Sequence, residues 1–260
     1  MPRSIEWLAK IRATNSCVQV YDEVLKPLDV RNFASVGYTR HHKFLRALSL
    51  RLMKKIWDIS PPIDASIPVF PGDTPFQLAW TAQISPQCPV NVSAITLSPH
   101  VGAHADAPLH YDPQGVAVGA LDLLPFLGRC RVIHAIDAGP LITIAHLQHA
   151  LNDVPERLLV RTYRQFPRQH FDTQLTGFDP ACVQHLADLG VRLIGTDSAS
   201  IDPAGSKQLP SHQSIRQRGL RVLENLLLDD VPEGDYELIA LPLKLMTADA
   251  SPVRAVLREL

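Results

Sequence analysis

From about residue 53 onward, short apolar runs alternate with segments that carry helix start and stop signals. Residues 95–97 and 131–136 are apolar enough, and short enough, to read as strands. Asp179 followed by Pro180 predicts a helix start, with Asp as N-cap and Pro in the first turn, and Gly190 predicts its end. Residues 191–194 then form a buried strand that delivers Gly195-Thr196-Asp197-Ser198 at its tip. A second helix is expected from near Ser211 to near Gly219, and residues 236–241 read as another strand. Pro61, Pro62, Pro68, Pro71, Pro86 and Pro89 predict long, stiff connections between elements. The pattern is that of an α/β or α+β protein with a mixed sheet.

Residues 1–52 differ from the rest. Arg3, Lys10, Arg12, Lys26, Arg31, Arg40, Lys43, Arg46 and Arg51 stand against few acids, and no secretory signal is discernible. Met53-Lys54-Lys55-Ile56-Trp57-Asp58 reads like a natural start. We therefore expect 1–52 to be an upstream extension, disordered or translated from a misplaced start, ahead of one domain at 53–260. The 260 residues are 46% hydrophobic and 20% charged, with a net charge of −1. That balance suits one well-packed core and argues against nucleic acid or an anionic membrane as partner. No apolar run approaches the ~20 residues of a membrane helix. Cys17, Cys88, Cys130 and Cys182 form no Cys-x-x-Cys pair and read as reduced, buried thiols of a cytoplasmic protein.

The chemistry concentrates in His100-Val101-Gly102-Ala103-His104-Ala105-Asp106-Ala107-Pro108-Leu109-His110. Imidazole and carboxylate suit zinc and similar divalent ions. A helix would set His100 and His104 on one face but turn Asp106 away, and Pro99, Gly102 and Pro108 disfavour it. A straight strand would put every even-numbered ligand on one face, yet leave residues i and i+4 about 13 Å apart. Ligands of one ion must converge to ~2 Å from it. The remaining solution is a strand end that bends sharply at Gly102-Ala103.

His212, in the first turn of its helix, and Glu224, a charge inside an apolar run, are candidates for a second metal. A salt bridge from Glu224 to Arg221 is the structural alternative. His110, beyond Pro108, suits proton transfer near neutrality; a third metal ligand or a surface histidine are its alternatives. Asp197 could orient a ligand. Ser198 lacks the Gly-x-Ser-x-Gly frame of a nucleophile, and Asp73 reads as a turn residue.

The run 100–110 closely resembles the signature of the metal-dependent cyclase-like hydrolases. Trp57-Asp58-Ile59-Ser60, Phe70-Pro71-Gly72-Asp73-Thr74, Gly195-Thr196-Asp197-Ser198, His212 and Leu241-Pro242-Leu243-Lys244-Leu245 extend the resemblance from about Trp57 to the C-terminus. With that tail, the chain looks most like the arylformamidase branch. The resemblance implies the swivelling β/β/α fold around a central mixed sheet, and two zinc ions per subunit. It implies that His100, His104 and Asp106 hold one ion, that His212 and Glu224 hold the other, that Asp106 bridges them, and that His110 is the acid/base. It also implies a homodimer that hydrolyses N-formyl-L-kynurenine to L-kynurenine and formate in tryptophan degradation. Trp57, Phe70 and Trp80 read equally as core aromatics or as the lining of a slot for that aromatic substrate, Trp57 and Phe70 with more reason because they flank the motifs that carry the resemblance. A sibling that opens a cyclic amide such as isatin would share the ligand run. A zinc-binding protein without turnover has no use for a spare His110 beside a closed site. A Ser198-based hydrolase would work in chelator, which the metal reading forbids.

Overall fold

Side chains alternate between two buried faces along the central strands, in the computed structural model of the protein, which describes residues 54–260. Val132, Leu159, Leu193 and Leu223 point into one apolar cluster. Their neighbours Ile133, Leu158, Ile194 and Val222 point into another on the opposite face. Both faces being buried, these strands are near-continuous apolar runs rather than alternating ones.

Thirteen strands are found among the described residues. They are β1 (Ile56–Asp58), β2 (Gln77–Ala82), β3 (Val92–Thr96), β4 (His104–Asp106), β5 (Leu127–His134), β6 (Leu141–Ile142), β7 (Arg157–Arg161), β8 (Gly177–Phe178), β9 (Leu193–Thr196), β10 (Arg221–Glu224), β11 (Gly234–Ile239), β12 (Ala250–Pro252) and β13 (Val256–Arg258). Nine form one sheet in the order β1-β13-β11-β5-β7-β9-β10-β4-β12. Its centre, β5-β7-β9-β10, is parallel, and both flanks pair antiparallel. This is the mixed sheet the sequence predicts. The expected strands are present but begin earlier than the apolar runs suggest, at Val92, Leu127 and Gly234. The strand after Gly190 instead starts later, at Leu193.

Among the described residues three α-helices accompany the sheet: α1 (Ile144–Leu147), α2 (Pro180–Asp188) and α3 (Pro210–Arg218). The Asp179 carboxylate accepts from the Ala181 N–H at 2.7 Å, which is the expected N-cap. Cys182, Val183 and Leu186 of α2 and Ile215 of α3 cover the second cluster. Gly219 ends α3 at φ +66°, a left-handed conformation that glycine adopts without a Cβ penalty.

The domain reading for 1–52 lies outside the described residues. Cys130 and Cys182 are buried, and burial pushes each thiol up to about 12. Among the described residues no helix is long and apolar enough to cross a membrane.

Candidate metal centre and its cleft

The chain enters the centre through a tight turn. The Val101 N–H donates to the Ser98 carbonyl at 3.1 Å, and Gly102 takes φ +67°. The left-handed conformation calls for glycine, and a Cβ there would sit 3.1 Å from Ile63 Cγ1, a contact that the Ile63 side chain would have to ease. The expected bend is therefore present, and it swings His100 back towards the short strand β4. Within β4, His104 and Asp106 share one face while Ala103, Ala105 and Ala107 enter the core. A 3-10 turn at Pro108–His110 then presents His110.

The other half of the centre arrives by strand pairing. Antiparallel β10 sets Val222 opposite Asp106 and Glu224 opposite His104, so Glu224 stands on the same face as the β4 pair. His212 lies in the first turn of α3. There Asp202 accepts from the backbone N–H of Ser211 at 3.0 Å and of His212 at 2.9 Å, and from His212 Nδ1 at 2.7 Å.

His104, Asp106, His212 and Glu224 are each at most 3% exposed. Asp106 Oδ1 lies 3.1 Å from His100 Nδ1 and 3.4 Å from His104 Nε2, and Asp106 Oδ2 lies 3.4 Å from His212 Nε2. Glu224 joins the same cluster, 3.4 Å from His104 Nε2 and 3.5 Å from His212 Nε2. Yet His104 Nε2, His212 Nε2 and both Asp106 oxygens are buried without a hydrogen-bond partner. Four orphaned atoms at one point are costly unless something else satisfies them. Two ligands held ~2.0–2.2 Å from a tetrahedral ion stand roughly 3.3–3.5 Å apart, which is the spacing found.

The tautomers point the same way. His104 Nδ1 donates to the Gly102 carbonyl at 2.8 Å, and His212 Nδ1 donates to Asp202. His100 Nε2 donates to Asp249 Oδ2 at 3.0 Å. Each of these rings spends its outer nitrogen as a donor and aims the other inwards, as metal-ligating imidazoles do. Without an ion, protons fill that role. Burial works against a charged His100 and His212, but facing carboxylates prevail. Asp106 and Asp249 raise His100 to about 9, and Asp106, Asp202 and Glu224 raise His212 well above its ordinary value. Burial likewise disfavours the Asp106 carboxylate, and the His100 and His212 imidazoles hold it far below the usual range. The residues present fit a divalent cation. Two overlapping sets could take one, His100 with Asp106 and His110, and His104 with Asp106 and Glu224.

His110 sits at the rim, with 32% of its side chain exposed and its ring centroid 4.3 Å from that of His100. Its Nδ1 is 3.2 Å from Asp249 Oδ2. The turn that carries it is braced from behind. A Cβ on Gly115 would lie 2.3 Å from the Pro108 carbonyl carbon, a backbone atom that cannot swing aside. Gly115→Ala is expected to displace the His110 turn, lowering stability by about 1–3 kcal/mol and kcat more than tenfold. Thermal unfolding and steady-state kinetics would check both, and wild-type kcat would remove the turn from the mechanism.

The centre opens into a cleft of about 280 Å³. Phe70 lines it and meets Phe171 edge-on at 5.2 Å between centroids. Asp73 lines it too, while its carboxylate caps the turn at the Thr74 N–H, 2.7 Å away.

Trp57 does not line the cleft. It packs edge-on against Tyr236 at 5.0 Å, on β1, which stands at the end of the strand order remote from β4. Trp80 is exposed on β2, also away from the cleft. Asp197 does not orient an imidazole. Burial pushes its carboxyl up to about 6, and it accepts from Thr162 N at 2.8 Å, Thr162 Oγ1 at 2.7 Å and Tyr163 N at 3.0 Å, tying β7 to β9. Ser198 is fully buried, and no imidazole is hydrogen-bonded to its unpartnered hydroxyl. Arg221 donates to the Gly219 and Leu220 carbonyls rather than to Glu224. The carboxylates found behind the imidazoles are instead Asp202, on His212 Nδ1, and Asp249, on His100 Nε2 and His110 Nδ1. Asp202 directly precedes Pro203 and lies ten residues before His212, within reach of a helix start, and that spacing was the available signal.

Comparison with known proteins gives the same picture. Residues 57–203 match the Cyclase family model, described as "Putative cyclase". The kynurenine formamidase of Delftia acidovorans is 65% identical over 209 residues, covering 80% of this chain and 100% of that protein. Its namesake from Paracidovorax citrulli is 64% identical over 209 residues, covering 79% and 97%. A solved structure described as a potential metal-dependent hydrolase with cyclase activity superposes with TM-score 0.69 at 29% identity, covering 80% of this chain and 98% of that one. An isatin hydrolase shares the fold at TM-score 0.68 and 20% identity, covering 86% and 99%. A hydrolase acting on an amide is the class these relatives define, and the chain belongs to the cyclase family, among its kynurenine formamidases.

Proposed function

We propose that the protein hydrolyses N-formyl-L-kynurenine to L-kynurenine and formate at a binuclear zinc centre. The observation that carries the reading is the set of buried, unpartnered, inward-facing atoms on His104, Asp106 and His212. The reaction is supported by relatives of that name at 60–65% identity. In this reading His100, His104 and Asp106 would hold one ion, and His212 and Glu224, with Asp106 shared, would hold the other. When bound, the ions supply Lewis acidity towards the formyl carbonyl and lower the pKa of a water from ~15.7 towards 7.

The remaining steps belong to the chain. Phe70 and Phe171 offer an apolar wall for the aniline ring, excluding water beside the scissile amide. With Nδ1 donating to Asp249, His110 keeps a lone pair on Nε2. That atom takes the proton of the attacking water and returns it to the departing aryl amine. Purified protein given N-formyl-L-kynurenine and, separately, isatin tests the assignment. Turnover of the first in clear excess over the second is expected. Turnover of isatin alone would replace the formamidase reading with that of a cyclic-amide hydrolase.

The reading includes a homodimer. What supports it is the hairpin β2–β3, where Leu78 and its cross-strand partner Ile95 are 45% and 57% exposed beside Trp80 at 54%. A two-stranded hairpin with an uncovered apolar face is marginal alone in water. Trp80→Glu is expected to shift the sedimenting species towards monomer, whereas a wild-type protein that sediments as a monomer would end this part of the proposal.

A further inference from the structure

We propose that Asp249 is a positioning residue that sets two histidines of different function at once, the ligand His100 and the acid/base His110. The inference rests on the reading of His110 as acid/base and adds to it a residue that neither the run 100–110 nor its resemblance points to.

The placement of Asp249 is fixed by backbone pairing. Strand β12 lies antiparallel to β4, with Ala250 opposite Asp106. The next rung is a hydrogen bond from the Ala107 N–H to the Asp249 carbonyl at 2.8 Å. Asp249 is thus held beside the strand that His100 precedes and His110 follows, each by four residues. Its Oδ2 lies 3.0 Å from His100 Nε2 and 3.2 Å from His110 Nδ1. The two rings are in contact, 4.3 Å between centroids and tilted by 48°.

A carboxylate only accepts, so each nitrogen facing Asp249 must carry its hydrogen. This one oxygen therefore selects both tautomers. His100 turns Nδ1 towards Asp106, and in the neutral His110 ring the lone pair falls on Nε2, the nitrogen that does not face Asp249. Among the described residues no arginine or lysine pairs with Asp249, whose side chain is 40% exposed. A half-exposed carboxylate whose partners there are two site histidines rather than a cation has no evident role in holding the described fold. Carboxylates behind metal-bound imidazoles typically contribute 10–100-fold in metal affinity or activity.

The test is a mutant cycle on the zinc-loaded enzyme with N-formyl-L-kynurenine. The variants are Asp249→Ala, Asp249→Asn, His110→Ala and the double His110→Ala/Asp249→Ala. Asp249→Ala is expected to lower kcat about 10–100-fold with KM within about twofold of wild type. Zinc affinity, read by competition with a chromophoric chelator, should fall by a similar factor because His100 loses its acceptor. Asp249→Asn keeps one acceptor oxygen in nearly the same shape, so it should recover part of kcat and guards against misfolding of the alanine variant. In the His110→Ala background, Asp249→Ala should cost little further kcat at saturating zinc. An additive loss there would mean that Asp249 does not act through His110, and would overturn the proposal while leaving the acid/base reading intact. Wild-type kcat in Asp249→Ala would overturn it as well. Wild-type kcat in His110→Ala would instead remove the acid/base reading itself, and this inference with it.

Discussion

Chelation should reduce amide hydrolysis by more than about 10³-fold, with recovery on adding zinc, and Asp106→Ala should reduce it as far without recovery. The argument is geometric. Asp106 supplies both of its oxygens to the cluster, one facing His100 and His104 and the other facing His212. No other side chain there faces three imidazoles. Removing it takes away the carboxylate that the reading gives to both ions, while His104 Nε2 and His212 Nε2 stay buried without a hydrogen-bond partner. The same variant gives a readout independent of turnover. A ligand bound only by the folded state stabilises it by about 4 kcal/mol at a thousandfold excess over Kd. Wild type should therefore gain thermal stability when zinc is added to the stripped protein, and Asp106→Ala should gain far less. Full activity in protein shown by elemental analysis to be free of metal would sink the metal mechanism outright.

His110→Ala should lower kcat by about 10²–10⁴-fold, the usual range for losing a general acid or base, while zinc content stays at the wild-type level. His110 is exposed at the rim, contacts Asp249 rather than Asp106, and lines the cleft. These features suit a group that meets substrate. The competing role is concrete, because His110, His100 and Asp106 are near enough to hold an ion between them. Metal analysis decides. Loss of about one zinc per chain in His110→Ala would make it a ligand, and the proton would need another carrier.

Most of the candidate site was legible in the sequence. Residues 100–110 show their chemistry because the ligands are close in sequence, and alternation separates His104 and Asp106 from the three alanines that enter the core. Glu224 was visible as a charge inside an apolar strand, and His212 as a polar residue at a helix start. Asp249 was not, because an isolated acid carries no periodicity, and Asp202 offered only its spacing ahead of the helix that bears His212. Asp249 becomes meaningful only when β12 pairs with β4. Trp57 misled for a related reason. Lying in a recognisable motif says nothing about where a strand sits in a sheet, and β1 joins it at the end remote from β4. The early strand starts reflect pairing as well, since β5 is drawn out to Leu127 by its partner β11.

The pairing of His104 with Glu224 across β4 and β10 also has an evolutionary consequence. A strand's side chains alternate faces, so a one-residue deletion within Arg221–Glu224 would turn Glu224 away from the centre and present an apolar neighbour instead. The loops between ligand-bearing elements carry no such parity, and their length is thermodynamically cheap to change. Length variation among descendants of this chain should therefore accumulate in those connections and spare the short strands, whose residue count is itself part of the chemistry.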